Sequence, residues 1–255
     1  MATTPVVAPG AEPEPQQSIS NFGRVIGVFF SPGKTFADIV RRPSWVFPML
    51  LMTVIAVGLG FSLAKRADWV QVSKDQIAKN KFASRQIDQL PEDQKTRAYE
   101  DSAKRSKVIR EVRGFIGWPL LLVITSGIYF GAFKLLGGIR TSFKTAFTIA
   151  TFAHLPAALR ELLAIPVTFL KDPASIDPEN FLASNPAAML PDLTGWSIVP
   201  LTALDIFGIW CVILLAIGFS AADPKKIPLG KSFGIVLSVW FSILLFFTGL
   251  VWIFS

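Results

Sequence analysis

Histidine and cysteine are nearly absent from this 255-residue chain, which has one of each, His154 and Cys211. One cysteine cannot close an intramolecular disulfide, and one of each cannot build a multi-ligand His/Cys zinc site. Charge is also scarce. Asp, Glu, Lys and Arg make up 17% of the residues, against about 25% in ordinary soluble domains. Tyrosine is rare, at 2 against 22 Phe and 7 Trp, an aromatic balance that fits lipid-facing and interfacial surfaces. No His-Glu-x-x-His, Gly-x-Ser-x-Gly or Gly-x-x-x-x-Gly-Lys-Ser/Thr pattern occurs. Helix-borne zinc chemistry, a nucleophile elbow and a nucleotide-binding loop are therefore not expected. No catalytic, cofactor or metal site is expected either.

What the chain has in abundance is long apolar runs. Phe233 to Phe254 is 22 residues without a charge, and about 20 such residues cross a bilayer's hydrocarbon core. Four further stretches bring the expected spans to about 45–64, 115–134, 143–170, 196–219 and 233–254. The expected fold class is all-α: a polytopic transmembrane helical bundle of five spans, with a helical extramembrane insert and an N-terminal interfacial helix. Residues 1–17, rich in Ala, Pro, Glu and Gln, read as a disordered tail, and 18–255 as one membrane domain.

Residues 18–42 read as amphipathic. Ser20 can cap a first helix, and Ser31-Pro32 reads as a second N-cap followed by Pro at the first helical position. The segment either lies at the membrane interface or packs on the bundle. Residues 67–113 form the insert. Asp68–Gln89 and Glu92–Val112 have helical composition, broken at Leu90-Pro91, and Val72, Ile77, Phe82 and Ile87 suggest a thin apolar stripe. With Lys65 and Arg66 the insert carries 13 Lys/Arg against 8 Asp/Glu, which reads as a solvated helical surface.

Lys/Arg placement sets orientation. Ten basic residues fall in three segments on one side: Arg24, Lys34, Arg41 and Arg42; Lys134, Arg140 and Lys144; Lys225, Lys226 and Lys231. The loop at 171–193 holds one Lys and four acids (Asp172, Asp177, Glu179, Asp192). This puts the N-terminus in the cytosol and places the basic insert on the far side, against the rule. The net charge of +7, flanking apolar spans, points to anionic lipid headgroups and not to nucleic acid.

Ionisable residues at membrane depth are costly and often functional. The candidates are His154, Arg160, Glu161 and Asp205, with Pro156 and Trp210 as structural companions. Arg160 and Glu161 are adjacent, so they point about 100° apart on a helix and do not pair with each other. If Pro156 breaks the third span, they can sit on an interfacial segment near water. Asp205 lies well inside an apolar run. Its options are protonation, a partner in Arg160 or His154, or backbone freed by a proline. Interhelical attachment and a proton or ion site are the two roles weighed for it. A second membrane-embedded aspartate, needed for an aspartyl-protease pair, is missing.

Several segments together resemble a known family. Leu204-Asp205-Ile206-Phe207-Gly208-Ile209-Trp210 with its apolar sequel to Phe219 looks like a signature of the Yip domain family, the Ypt/Rab-interacting five-span membrane proteins, in its bacterial branch. Phe30-Ser31-Pro32-Gly33-Lys34-Thr35-Phe36, then Pro43 and Trp45-Val46-Phe47-Pro48, is similar to the family's start. Thr148-Ile149-Ala150 leading to Leu155-Pro156 is similar to its third span. The resemblance covers about residues 20–255. It implies five helices and a cytosolic N-terminus, and bacterial membership implies the inner membrane. Eukaryotic members are similar to scaffolds that bind Rab-type GTPases. The insert at 67–113 departs from their compact plan, so a GTPase partner is not carried over.

The expected function is a non-enzymatic membrane scaffold or interaction protein, with other membrane proteins or a second copy as possible partners and with Asp205, Trp210 and Pro156 organising the bundle. The alternative is a small transporter or an ion- or proton-conducting permease using Asp205, His154 and Glu161, since prolines interrupt two spans that carry polar residues.

Overall fold

The computed structural model describes residues 19–178, 180–190 and 195–254. The expected disordered tail lies outside the described residues, as do Glu179 and Asp192 of the acidic loop.

The chain enters through two short helices. Ser20 caps α1 (Asn21–Phe30) through its hydroxyl, which accepts from Gly23 N–H at 3.0 Å. One residue, Ser31, separates α1 from α2 (Pro32–Arg41), whose Pro32 has no N–H to leave unsatisfied. The Ser31 hydroxyl makes no capping bond; instead Thr35 Oγ1 and Thr35 N–H both donate to the Ser31 carbonyl. The two helices are joined at their open ends by a buried ion pair, Arg24 Nε to Asp38 Oδ2 at 2.8 Å. Their inner face (Val28, Phe36, Ile39) is fully buried against the bundle.

The first span is α3 (Val46–Arg66). Asp68 then caps α4 (Trp69–Lys79), and Asn80 ends it and caps α5 (Lys81–Asp88) by accepting from Phe82 and Ala83 N–H. Helix is thus interrupted within Asp68–Gln89. The break at Asn80 turns α5 away, so Val72 is buried while Phe82 stays 71% exposed, off the expected stripe. After Pro91 one helix, α6 (Glu92–Ala132), runs 41 residues, about 60 Å at 1.5 Å per residue. The second half of the insert and the second span are therefore one continuous helix, with Pro119 inside it. It ends in a π-helical turn, Phe133–Gly137, and Gly138 at φ 65, a left-handed position suited to glycine.

The third apolar stretch is two helices, α7 (Phe143–Ala153) and α8 (Leu155–Leu170), meeting at His154 just before Pro156. The fourth is also broken. Short α9 (Ile198–Ala203) and α10 (Ile206–Ala222) meet at 55°, with Asp205 between them. The last is α11 (Leu229–Phe254). Among the described residues, four helical segments are long and apolar enough to span a bilayer, and the bent α9–α10 pair makes a fifth if counted as one span.

Helix α10 is the hub, touching α2, α7, α8 and α11. Phe219 stacks on Phe133 with ring centroids 4.2 Å apart. Next to it, Gly218 lets α10 approach so closely that a Cβ there would lie 2.5 Å from Ile149 Cγ2 and 3.0 Å from the Phe36 ring. Small residues at such crossings are how membrane helices gain close van der Waals packing. The turns at 137–142 and 223–228 share one end, where Lys226 Nζ reaches the Gly138 carbonyl at 3.4 Å. At the other end the insert meets the 171–190 loop, with Asp68 N–H donating to the Pro173 carbonyl at 3.1 Å and Lys79 pairing with Asp177 at 3.4 Å.

Gly218→Ala is expected to lower the melting temperature of the detergent-solubilised protein, since forced overpacking costs about 1–3 kcal/mol. Gly234→Ala, with nothing within 4 Å of the added carbon, is expected to leave it unchanged. Equal melting curves for the two variants would contradict the packing described for α10.

Candidate functional site

The ionisable candidates gather at the insert end, where α8, α10 and the 171–190 loop meet. Asp205 is the N-cap of α10, and its two oxygens do different work. Oδ1 accepts from Phe207 N–H at 3.0 Å and Gly208 N–H at 3.1 Å. Oδ2 faces Arg160 Nε at 3.4 Å and accepts from the Ser184 hydroxyl. Arg160 Nε also donates to Ser184 Oγ at 3.2 Å, and Ser184 O accepts from Ile206 N–H at 3.1 Å. One carboxylate thus ends the bend, starts α10, and holds the loop and α8 to it. The pair is largely buried, with side chains 22% and 15% exposed. Removing one partner of a buried pair strands a charge and costs about 3–5 kcal/mol.

Phe181, 5% exposed, is brought by the loop between two guanidinium groups, Arg160 at 5.2 Å and Arg110 of α6 at 5.8 Å from its ring centroid. Lys171 Nζ donates to the Phe181 carbonyl at 3.3 Å. The loop is therefore clamped over the bundle by cation–π contacts and hydrogen bonds.

Glu161 points elsewhere, accepting from Trp118 Nε1 at 3.0 Å while Arg110, Arg113 and Arg160 act on it electrostatically. His154 Nδ1 lies 2.8 Å from the Ala150 carbonyl, which can only accept, so this nitrogen carries the proton. The His154 ring meets Trp118 edge-on at 6.3 Å. Trp118 therefore stands between His154 and Glu161. Pro156 is buried at the start of α8. Trp210 lies one turn beyond the Asp205 cap, its ring 5.3 Å from Phe29 of α1.

Of the six residues singled out from sequence, the structure thus brings Arg160 and Asp205 into contact. It gives His154 and Glu161 a common neighbour and places Trp210 and Pro156 in packing roles. Ser184, Phe181, Trp118 and Arg110 were not anticipated, and neither was the Arg24–Asp38 pair. Arg24 did carry a signal, as the one charge in an otherwise uncharged helix. Among the described residues no group of three or more His, Cys, Asp or Glu side chains lies within reach of one metal ion.

Apolar helices of membrane-spanning length, packed through glycine crossings, define an all-helical, polytopic integral membrane protein. Within that class the chain belongs to the Yip1 domain family, whose family model matches residues 26–251. No curated protein and no solved structure matches the chain.

Asp205→Asn keeps a side chain able to cap and removes the charge, whereas Asp205→Leu removes both functions. The expected order of melting temperature in detergent is wild type, then Asp205→Asn, then Asp205→Leu. A Leu variant as stable as wild type would remove Asp205 from the bundle's supports.

Proposed function

We propose that this chain is a non-enzymatic scaffold or interaction protein of the bacterial cytoplasmic membrane, with its N-terminus in the cytosol. The observation that carries this reading is that α6 leaves the bundle as an unbroken rod, with α4 and the 171–190 loop packed onto it as a fixed platform. A scaffold needs a rigid display surface and no mobile chemical centre. Its polar groups at membrane depth support this, because Asp205, Glu161 and His154 are each engaged by a different partner. Anionic headgroups at the basic end are the partner the charge pattern favours, and other membrane proteins or a second copy are the partners proposed for the platform.

Orientation is tested by labelling intact cells with an impermeant maleimide in a Cys211→Ala background. Gln86→Cys in the insert and Lys225→Cys in the basic turn are both at exposed positions. Labelling is expected at Gln86→Cys in intact cells and at Lys225→Cys after permeabilisation alone. The reverse pattern would put the platform in the cytoplasm and overturn the proposed orientation.

One observation favours a second reading. The break at Asp205 gives the fourth stretch the discontinuous form found at transporter binding sites, with a helix N-terminus at the break. A permease using Asp205, His154 and Glu161 would show a proton or ion flux in proteoliposomes that Asp205→Asn abolishes. The scaffold reading expects no flux above protein-free liposomes under proton, sodium and potassium gradients.

A further inference from the structure

We infer that α1 and α2 form a half-membrane re-entrant hairpin, which enters from the basic end and whose outer face is covered by the acyl chains of that leaflet. This inference concerns the membrane and does not rest on the scaffold reading.

The frame comes from the spanning helices. Phe133 stacks on Phe219, so Lys134 and Asp223 both lie within about 6 Å of that stack at the basic end, and α10 carries no charge from Ile206 to Ala222. Along α10, Gly218 lies about 6 Å and Trp210 about 18 Å from Ala222 at 1.5 Å per residue. Phe36 of α2 packs on Gly218, and Phe29, beside the turn, meets Trp210. The hairpin therefore stands upright against α10 with Ser31 at its inner tip. A leaflet's hydrocarbon is about 15 Å thick, so the tip reaches the region of the midplane.

Helix α3 gives the same answer independently. A Cβ on Gly60 would lie 3.5 Å from the Arg110 carbonyl, and one on Gly114 3.1 Å from Val57 Cα. Extending this antiparallel register puts Val46 beside Thr125, about 13 Å above Lys134 at 1.5 Å per residue. The first span thus begins well inside the level of the basic turns, and the hairpin occupies the space below it. Arg24 Nη1 donates to the Arg42 carbonyl at 2.9 Å, which closes the hairpin's base onto the entry to α3.

The chemistry of the tip suits hydrocarbon, where unsatisfied backbone groups are costly. Ser31 N–H donates to the Gly27 carbonyl at 2.7 Å, its carbonyl accepts two bonds from Thr35, and Pro32 has no N–H. The charges of the inner face, Arg24 and Asp38, neutralise each other at 4% exposure each. The outer face of α1 is Phe22, Ile26 and Phe30, one stripe at four-residue spacing, 65%, 44% and 82% exposed. Lys34 is the exposed charge nearest the tip, and its four-carbon stem lets the ammonium reach back toward the headgroups. Arg41 and Arg42 lie at the base, at headgroup level, where anionic lipids are attracted. The hairpin thus adds its cross-section to one leaflet alone.

The test uses full-length protein in a Cys211→Ala background with Phe22→Cys, Ile26→Cys or Phe30→Cys. Each carries an environment-sensitive fluorophore, in phosphatidylcholine–phosphatidylglycerol vesicles containing lipids spin-labelled near the headgroup or near the chain end. All three sites are exposed, and monodisperse elution in detergent confirms folding. At Phe30→Cys the deep label is expected to quench about twofold more than the shallow one, with the order reversed at Phe22→Cys and Ile26→Cys between them, as a chain crossing one leaflet requires. Stronger shallow quenching at all three sites would mean a hairpin lying flat, and would overturn the inference. Absence of quenching at Phe30→Cys would mean that water or protein covers the face, and would overturn it too. If quenching appeared there only after dilution with excess lipid, a second copy would be the occupant instead of acyl chains.

Discussion

The arrangement of the insert end depends on one carboxylate. Asp205 sits where a continuous apolar helix would otherwise run, and its Oδ1 caps α10 while its Oδ2 holds Arg160 and Ser184. Without the cap, α10 would begin with unpaired N–H groups in a water-poor setting. Without the ion pair, Arg160 would be a stranded charge on α8. The loop that carries Ser184 would also lose its tie to α10, and with it the seat that places Phe181 between Arg160 and Arg110. A single acidic residue thus couples helix initiation, interhelical attachment and loop closure. These couplings are why its position in an apolar run is informative.

Much of the bundle was legible because hydrocarbon imposes a length rule. A chargeless run such as 233–254 has few alternatives to a spanning helix, and local signals such as Ser20 before α1 and Pro32 opening α2 act over three or four residues. What sequence reading could not see is non-local. Arg24 and Asp38 are 14 residues apart and meet only because Ser31 folds one helix onto the other. The break within 196–219 rests on Asp205 finding Ser184, 21 residues upstream, across a loop of irregular structure. Besides the break at Asn80, the insert departs from its sequence reading in that the charged half of α6 reads as a separate helix, because composition changes at Val112–Phe115. Helix propensity falls there, with Gly114, Gly117 and Pro119 following, yet no capping residue interrupts the backbone and the helix continues.

Close packing follows the same division between local and non-local. Gly114 and Gly218 are ordinary glycines in sequence, yet Gly114 marks a place where two backbones approach nearly to contact, and Gly218 one where the Ile149 and Phe36 side chains press on the α10 backbone. Gly234, equally apolar in its surroundings, faces open space. Nothing within a few residues distinguishes them, since the difference lies in which helix arrives from elsewhere in the chain.

The two buried Arg–Asp pairs stand beside opposite halves of α10, Arg24–Asp38 toward its basic end and Arg160–Asp205 at its start. Replacing a buried ion pair by apolar side chains of similar volume is often neutral or stabilising, so raw stability is a weak reason for either. Specificity is a stronger one. Two apolar helices could slide past each other by a turn at little cost, because lipid-facing and helix-facing surfaces are chemically alike in a bilayer. Arg24, bonded at once to Asp38 and to the Arg42 carbonyl, has one position that satisfies both. It therefore fixes α1 against α2 and the hairpin's base against the entry to α3, so that Phe29 and Phe36 reach Trp210 and Gly218 as one unit. Asp205 imposes the same restriction on the loop and α8. The Arg24–Asp38 pair thus pins the hairpin's own register, Asp205 pins the loop and α8 to α10, and the apolar surfaces supply the packing between them.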